Sequence, residues 1–175
     1  MRILPLALTA TLALCTIHAQ IAPTNDELID HWKLSKEFTL AVADAMPVEQ
    51  YGFKVDEGEM SFGALMIHIA GSQAFRLAQV AGVDFPLVVP KDLPKEKAKQ
   101  IAMDLLRQSF DFCIARLSKL AQEQLAKSYK VDWFERQNAT GRQVALAMLV
   151  HTAHHRGQAE VYLRAKGIKP PMYRF

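Results

Sequence analysis

Cysteine is scarce in this chain, with only Cys15 and Cys113 among 175 residues. Cys15 lies in an apolar N-terminal segment that we expect to be removed, which leaves Cys113 alone in the mature chain. A single cysteine excludes an internal disulfide as a means of stabilising the fold. Cys113 falls within the apolar series of a helical pattern, so we predict a small buried apolar side chain there and not a nucleophile.

An excess of charge of one sign is also absent. The chain carries 21 basic and 18 acidic residues, a formal net charge of +3, and no basic stripe with interleaved aromatic residues. We therefore expect no nucleic-acid partner. Half of the residues are hydrophobic and 22% are charged, which excludes a disordered or fibrous protein. The length and composition favour one globular domain with a sizeable core.

No apolar run is long enough to cross a membrane. Residues 3–17 are mostly apolar, but a membrane-spanning helix needs about 20 residues. The run follows an arginine and leads to a small-residue cleavage motif ending at Ala19, as in secretory signal peptides. We predict a signal peptide over 1–19, export to the periplasm or the medium, and a mature domain over 20–175 without a membrane span. The alternative is a lipoprotein acylated at Cys15, although the residue before that cysteine is not small.

Helical periodicity dominates the mature chain, and we expect no strands. Ser61 is a good N-cap residue, and Gly82 and Gly167 are typical of positions just after a helix. Asn25 or Thr24 is the expected N-cap of the first helix. The predicted long helices cover residues 25–45, 61–81, 95–120 and 140–167. Four helices with long inter-helix connections predict an all-α four-helix bundle in which at least one connection is a crossover.

The segment from residue 122 to residue 138 is the hardest to interpret. It is consistent with an irregular connection or with a short extra helix. We expect Trp133 and Phe134 to anchor this segment to the bundle.

Three histidines carry the strongest chemical signal. His151 and His155 are four residues apart, so on a helix both imidazoles project from one face, one turn apart. His68 lies in another strongly apolar helical segment. Two facing helices could therefore supply three neutral nitrogen ligands to one divalent ion and leave a coordination position open, as in catalytic metal sites. Zinc and nickel both accept imidazole, so the pattern does not choose between them.

The same residues also have interpretations without a metal. A lone histidine such as His68 is more often a hydrogen-bonded core residue, and histidines four residues apart also occur on solvated helix faces. Against this, burying several imidazoles without partners costs on the order of a kcal/mol or more each, and metal ligation removes that cost.

A carboxylate general base is missing from the pattern. Thr152 stands where the glutamate of a His-Glu-x-x-His zinc protease would be, and Glu160 is too far round the helix from His155 to share its face. The candidates for contacts with the ligands or with a substrate are Gln158, His154, Ser72 and Tyr162.

Four segments, in this order, extend over nearly all of the mature chain. They are AMPVEQYGF over 45–53, SFGALMIHIA over 61–70, HTAHHRGQ over 151–158 and YLRAKGIKPP over 162–171. Together they resemble the DinB/YfiT-like family, which is described as a family of metal-dependent enzymes.

The resemblance implies a four-helix bundle with a three-histidine divalent metal site at His68, His151 and His155, holding zinc or nickel. It also implies a homodimer, since members often form one. Wider relatives include thiol-cofactor S-transferases and maleylpyruvate isomerases, and many members have no known substrate. Most relatives are cytoplasmic, so the predicted export puts in doubt a reaction that uses a cytosolic thiol.

Our leading hypothesis is an exported metal-dependent hydrolase that acts on an unidentified small molecule. The first alternative is a non-enzymatic metal-binding or stress-response module in which the ion is structural. The second is a thiol-dependent transferase, and the third is a protein without a metal.

Overall fold

The computed structural model describes residues 25–91, 93–133 and 136–173, without the side chains of residues 132–136. The predicted signal peptide over 1–19, its cleavage after Ala19 and the acylation of Cys15 lie outside the described residues. So do Thr24 and the two side chains, of Trp133 and Phe134, that were predicted to anchor the 122–138 segment.

Four long helices form a bundle, with a short helix and a β-hairpin before the last of them. In chain order the elements are α1 (Asn25–Ala45), a 3-10 turn (Val48–Gln50), α2 (Phe62–Ala81), α3 (Ala98–Leu117), α4 (Gln122–Ala126), β1 (Ser128–Trp133), β2 (Arg136–Thr140) and α5 (Gly141–Ala165). The helices α1 and α2 each pack against both α3 and α5. Consecutive helices α1 and α2 therefore lie at opposite corners of the bundle, and the chain between them crosses over, as predicted.

The helix α2 begins and ends at the residues that the sequence predicts. The Ser61 side chain accepts the Ala64 backbone N–H, and Gly82 ends the helix with a φ of 66°, a conformation that glycine adopts without strain. Most of the surface of α2 is buried in the core. This burial follows from the near absence of charged residues in the segment.

A capping box and a close backbone approach determine where α5 begins. Thr140 Oγ1 accepts the Gln143 backbone N–H, and the Gln143 side chain accepts the Thr140 backbone N–H in return. Gly141 follows with no room for a side chain, because a Cβ there would lie 2.7 Å from the Gln124 carbonyl oxygen of α4. The predicted end of this helix is confirmed by Gly167, which has a φ of 72°.

The prediction that the chain contains no strands is wrong for the segment after α4. Strands β1 and β2 pair antiparallel, with Ser128 opposite Thr140, Tyr129 opposite Ala139 and Lys130 opposite Asn138. The sequence of β1, SYKVDW, alternates polar and apolar residues and so carries a strand signal that the prediction missed. The strand β2 is polar apart from Ala139 and carries no such signal. Of the two alternatives for this segment, α4 supports the short extra helix.

The helix α3 is shorter than predicted at both ends. Residues 95–97 form a turn in which the Lys97 N–H bonds to the Pro94 carbonyl and the Ala98 N–H to the Lys95 carbonyl. Regular α-helix begins only at Ala98 and ends at Leu117. Within it, Cys113 is fully buried and burial raises the pKa of its thiol well above the usual range, which agrees with the predicted apolar role.

Among the residues that the structure describes, no helix combines the length and the apolar character that crossing a membrane requires.

Candidate metal centre

The bundle brings the three predicted histidines together between α2 and α5. His68 Nε2 lies 3.2 Å from His151 Nε2, and His155 Nε2 lies 3.1 Å from the same atom. All three ligand atoms lie within 4.8 Å of one another. The three side chains are half-buried, so their nitrogens meet in a site that solvent can still reach.

These separations suit a single tetrahedral ion. Two nitrogens bound about 2.1 Å from such an ion lie roughly 3.4 Å apart, close to both measured distances. The group consists of histidines alone, and no carboxylate or thiol joins it among the described residues. Imidazole nitrogens suit zinc, nickel and related ions better than the hard cations magnesium and calcium.

Gln158 contacts the ring nitrogen of His155 that does not face His151. The Gln158 side-chain oxygen lies 2.6 Å from His155 Nδ1. An amide oxygen can only accept, so Nδ1 carries the proton in this hydrogen bond. In the neutral imidazole, Nε2 then has the lone pair, and it faces the other two histidines.

His151 Nδ1 is buried and has no hydrogen-bond partner among the described residues. If that nitrogen carries the proton, then His151 Nε2 presents a lone pair to the lone pair of His155. If Nε2 carries the proton, it serves only one of its two neighbours. The three imidazoles therefore cannot satisfy all of their Nε2 atoms by hydrogen bonds to one another. A cation that accepts all three lone pairs resolves this, so the residues fit a divalent metal.

Burial lowers the pKa of all three imidazoles. The pKa of His151 falls to about 4, through burial first and then through His155, His68 and His154. The pKa of His68 is lowered by burial and by His155. Burial also lowers the pKa of His155, against a rise from the Gln158 hydrogen bond and with a further fall from His154. The triad is therefore neutral at pH 7, which is the state that binds metal.

The other residues predicted to contact the ligands or a substrate, His154, Ser72 and Tyr162, differ in their position relative to the triad. His154 is exposed, and its ring packs edge-on against that of His155, with centroids 4.9 Å apart. Ser72 is half-buried one turn after His68 on α2. Tyr162 is buried two turns after His155 and donates its hydroxyl proton to the Met60 carbonyl at 2.7 Å.

Beside the triad lies a buried chain of hydrogen bonds that the sequence did not predict. Thr152 Oγ1 donates to Gln73 Oε1 at 3.2 Å, and Gln73 Nε2 donates to Ser109 Oγ at 2.7 Å. Ser109 in turn donates to the Leu106 carbonyl. The chain joins α5, α2 and α3 at the residue after His151. Its signal in the sequence is Gln73, one of the few polar residues of the strongly apolar α2.

Arg156 is a second buried polar residue that the sequence does not reveal. It follows His155 but faces α1, where its guanidinium donates to Ser35 Oγ and Thr39 Oγ1 and lies 4.4 Å from the centre of the Phe38 ring. These contacts hold α5 against α1 on the side of the helix away from the metal ligands.

Comparisons with known proteins agree with this fold. A family model described as the DinB superfamily matches residues 31–159. The uncharacterised protein YjoA of Bacillus subtilis (strain 168) is 23% identical over 145 residues, which cover 82% of this chain and 91% of that protein.

Two solved structures show the same architecture. A crystal structure of the DinB-like protein YjoA from Bacillus subtilis has a TM-score of 0.66 and 24% identity, covering 85% of this chain and 97% of that one. A DinB-like protein from Bacillus cereus has a TM-score of 0.70 and 22% identity over the same shares of the two chains. The family model extends over most of the chain and includes all three histidines, and the chain therefore belongs to the DinB superfamily.

Proposed function

We propose that this protein is an exported metal-dependent hydrolase. In this proposal His68, His151 and His155 hold one divalent ion, zinc or nickel, and the substrate is an unidentified small molecule. The observation that carries it is the convergence of three Nε2 atoms, with separations of 3.1 and 3.2 Å from the central one.

The side chains of the site each have a role in this proposal. The three imidazoles bind through Nε2, and because they are neutral they leave the charge of the ion uncompensated. An ion held in this way supplies Lewis acidity for hydrolysis at neutral pH. His154, exposed beside His155, is placed to contact a substrate from the solvent side.

Metal analysis of the purified protein is the first test. We expect about one equivalent of zinc or nickel per chain, and at least a tenfold lower content in His68→Ala, His151→Ala and His155→Ala. His154→Ala is the matched control, since it removes an exposed histidine from the same helix and should keep the metal. Unchanged metal content in the three ligand variants would refute the site.

A hydrolase screen tests the reaction. Ester, amide and phosphoester substrates are assayed with the metal-loaded protein, with and without a chelator. We expect turnover that the chelator abolishes and that added zinc or nickel restores. If the protein binds metal but turns over no substrate of any of these classes, metal binding is supported and the hydrolase activity is contradicted.

Export is tested separately. The proposal rests on the apolar segment over residues 3–17 and the cleavage motif ending at Ala19. After expression in a bacterium we expect the full chain in the periplasm or the medium, shortened by 19 residues, and a chain without residues 1–19 in the cytoplasm. An uncleaved cytoplasmic full chain would exclude export.

A structural role for the ion is the second candidate. The observation that favours it is that the ligands come from two helices, α2 and α5, so that an ion would cross-link them. Here chelation should lower the melting temperature strongly, and neither the metal-loaded nor the metal-free protein should turn over any substrate.

A further inference from the structure

We propose that Gln158 is a positioning residue that holds His155 in the tautomer whose Nε2 binds the metal. The inference rests on the proposed metal site and assigns a role to a side chain that is not itself a ligand. Its basis is the 2.6 Å contact between Gln158 Oε1 and His155 Nδ1.

A neutral imidazole in water exchanges its proton between two nitrogens. Only the form with the proton on Nδ1 has a free lone pair on Nε2, and Nε2 is the nitrogen of His155 that faces His151 at 3.1 Å. Gln158 stabilises that form because its carbonyl oxygen accepts the Nδ1 proton. Metal-binding histidines are commonly oriented in this way by an acceptor for the other ring nitrogen.

The geometry of α5 keeps this acceptor in place before any metal binds. Gln158 lies three residues after His155, within one helical turn, and both side chains are half-buried. The hydrogen bond therefore forms within a single helix and does not depend on how α2 packs.

The two ligands of α5 differ in this respect. His151 Nδ1 is buried without a partner among the described residues, whereas His155 Nδ1 has a charge-neutral acceptor. The binding nitrogen of His155 is therefore selected in advance, in contrast to that of His151.

Three variants test the inference. Gln158→Leu keeps a side chain of similar volume and helix propensity but removes the acceptor, and Gln158→Glu retains an acceptor oxygen. Gln79→Leu is the matched control, the same substitution at an exposed position of α2, about three turns from His68. Circular dichroism verifies that each variant is folded.

The first readout is the tautomer of His155 in the metal-free protein, from the 15N shifts of its two ring nitrogens. We expect the proton on Nδ1 in wild type, Gln158→Glu and Gln79→Leu, and a mixture of both forms in Gln158→Leu. The second readout is zinc affinity by competition with a chelating dye. We expect about 10–100-fold weaker binding in Gln158→Leu alone.

The two readouts separate the inference from the proposed function. If Gln158→Leu keeps the wild-type tautomer and zinc affinity, then Gln158 does not position His155 and the inference fails. If wild type binds no zinc although His155 has its proton on Nδ1, the proposed metal site fails and the assignment of the tautomer to Gln158 stands. Equal loss of affinity in Gln79→Leu would also overturn the inference.

Discussion

At the scale of single residues, His151 is the least satisfied side chain of the site. Its Nε2 lies within hydrogen-bond distance of both other ligands, and its Nδ1 is buried without a partner among the described residues. An unpaired buried polar group costs about 1–3 kcal/mol, so its retention is better explained by a ligand than by stability. The metal-free protein should therefore show the cost of this arrangement in its response to pH.

We predict that the metal-free protein loses stability as pH falls from 6.5 towards 4. The pKa of His151 is about 4 when folded, against 6.5 in the unfolded chain, and those of His68 and His155 are lowered as well. The unfolded state thus binds more protons in this window, so stability is fully present above pH 6.5 and decreases below it. Thermal melts in a chelator measure the effect, with about 2–4 °C lost per kcal/mol.

The variant His151→Asn tests the origin of that pH dependence. It removes the most shifted histidine, so its melting temperature should fall less steeply between pH 6.5 and 4 than that of wild type. His154→Asn removes only the smallest of the influences that lower the pKa of His151, so it should change the slope less than His151→Asn does. A His151→Asn slope as steep as wild type would assign the acid sensitivity to other groups.

At the scale of the elements, the site depends on how α5 docks against its neighbours. It begins against α4 at Gly141, it is joined to α2 and α3 through Thr152, and it is held against α1 by Arg156. These three contacts determine the position and rotation of the helix that carries two of the three ligands. Each can be weakened separately.

Two glycines of α5 should respond to alanine with opposite signs. A Cβ at Gly141 would meet the Gln124 carbonyl oxygen at 2.7 Å, so Gly141→Ala should destabilise the protein by about 1–3 kcal/mol. A Cβ at Gly157 meets nothing within 4 Å, so Gly157→Ala should stabilise it by up to about 1 kcal/mol. Urea unfolding of both variants measures the difference. Similar effects at the two positions would contradict the close approach of α4 and α5.

The buried pair Thr152 and Gln73 should be energetically coupled. Thr152→Val keeps the shape but leaves Gln73 Oε1 without its donor, at a cost of about 1–3 kcal/mol. Gln73→Leu should cost a similar amount. The double variant should lose less than the sum of the two, by about 0.5–3 kcal/mol. Chemical unfolding of wild type, the two single variants and the double variant measures this coupling. If the losses of the two single variants simply add up in the double variant, the hydrogen bond is excluded.

At the scale of the whole molecule, an ion held by α2 and α5 would link two helices on one side of the bundle. We predict that zinc raises the melting temperature. At a free concentration 100 times its dissociation constant it contributes about 2.7 kcal/mol, or roughly 5–11 °C for a domain of this size. Calorimetry with and without zinc measures the rise, which His155→Ala should abolish. A rise that persists in His155→Ala would place the stabilising ion elsewhere.

The homodimer stays a prediction. The outward face of α5 exposes the apolar side chains Leu146, Val150 and Val161, and the mass of the purified protein by light scattering decides between monomer and dimer.

Much of the fold could be predicted from local signals. The ends of α2 and α5 follow from Ser61, Gly82, Thr140 and Gly167, because capping involves residues only a few positions apart. The β-hairpin could be predicted only in part. The segment 128–133 alternates polar and apolar residues, which is a strand signal, whereas β2 carries none and is stabilised by its pairing with β1.

The sequence alone determined the helices and the pair of ligands on α5, because the spacing of His151 and His155 places both on one face of any helix. Only the tertiary structure decided that His68, 83 residues before His151, meets this pair, since the meeting depends on how α2 packs against α5. It also decided that His151 Nδ1 is buried without a partner among the described residues, whereas the contact between Gln158 and His155 lies within α5 itself. Periodicity specifies which face of a helix a residue occupies, whereas packing specifies what that face meets.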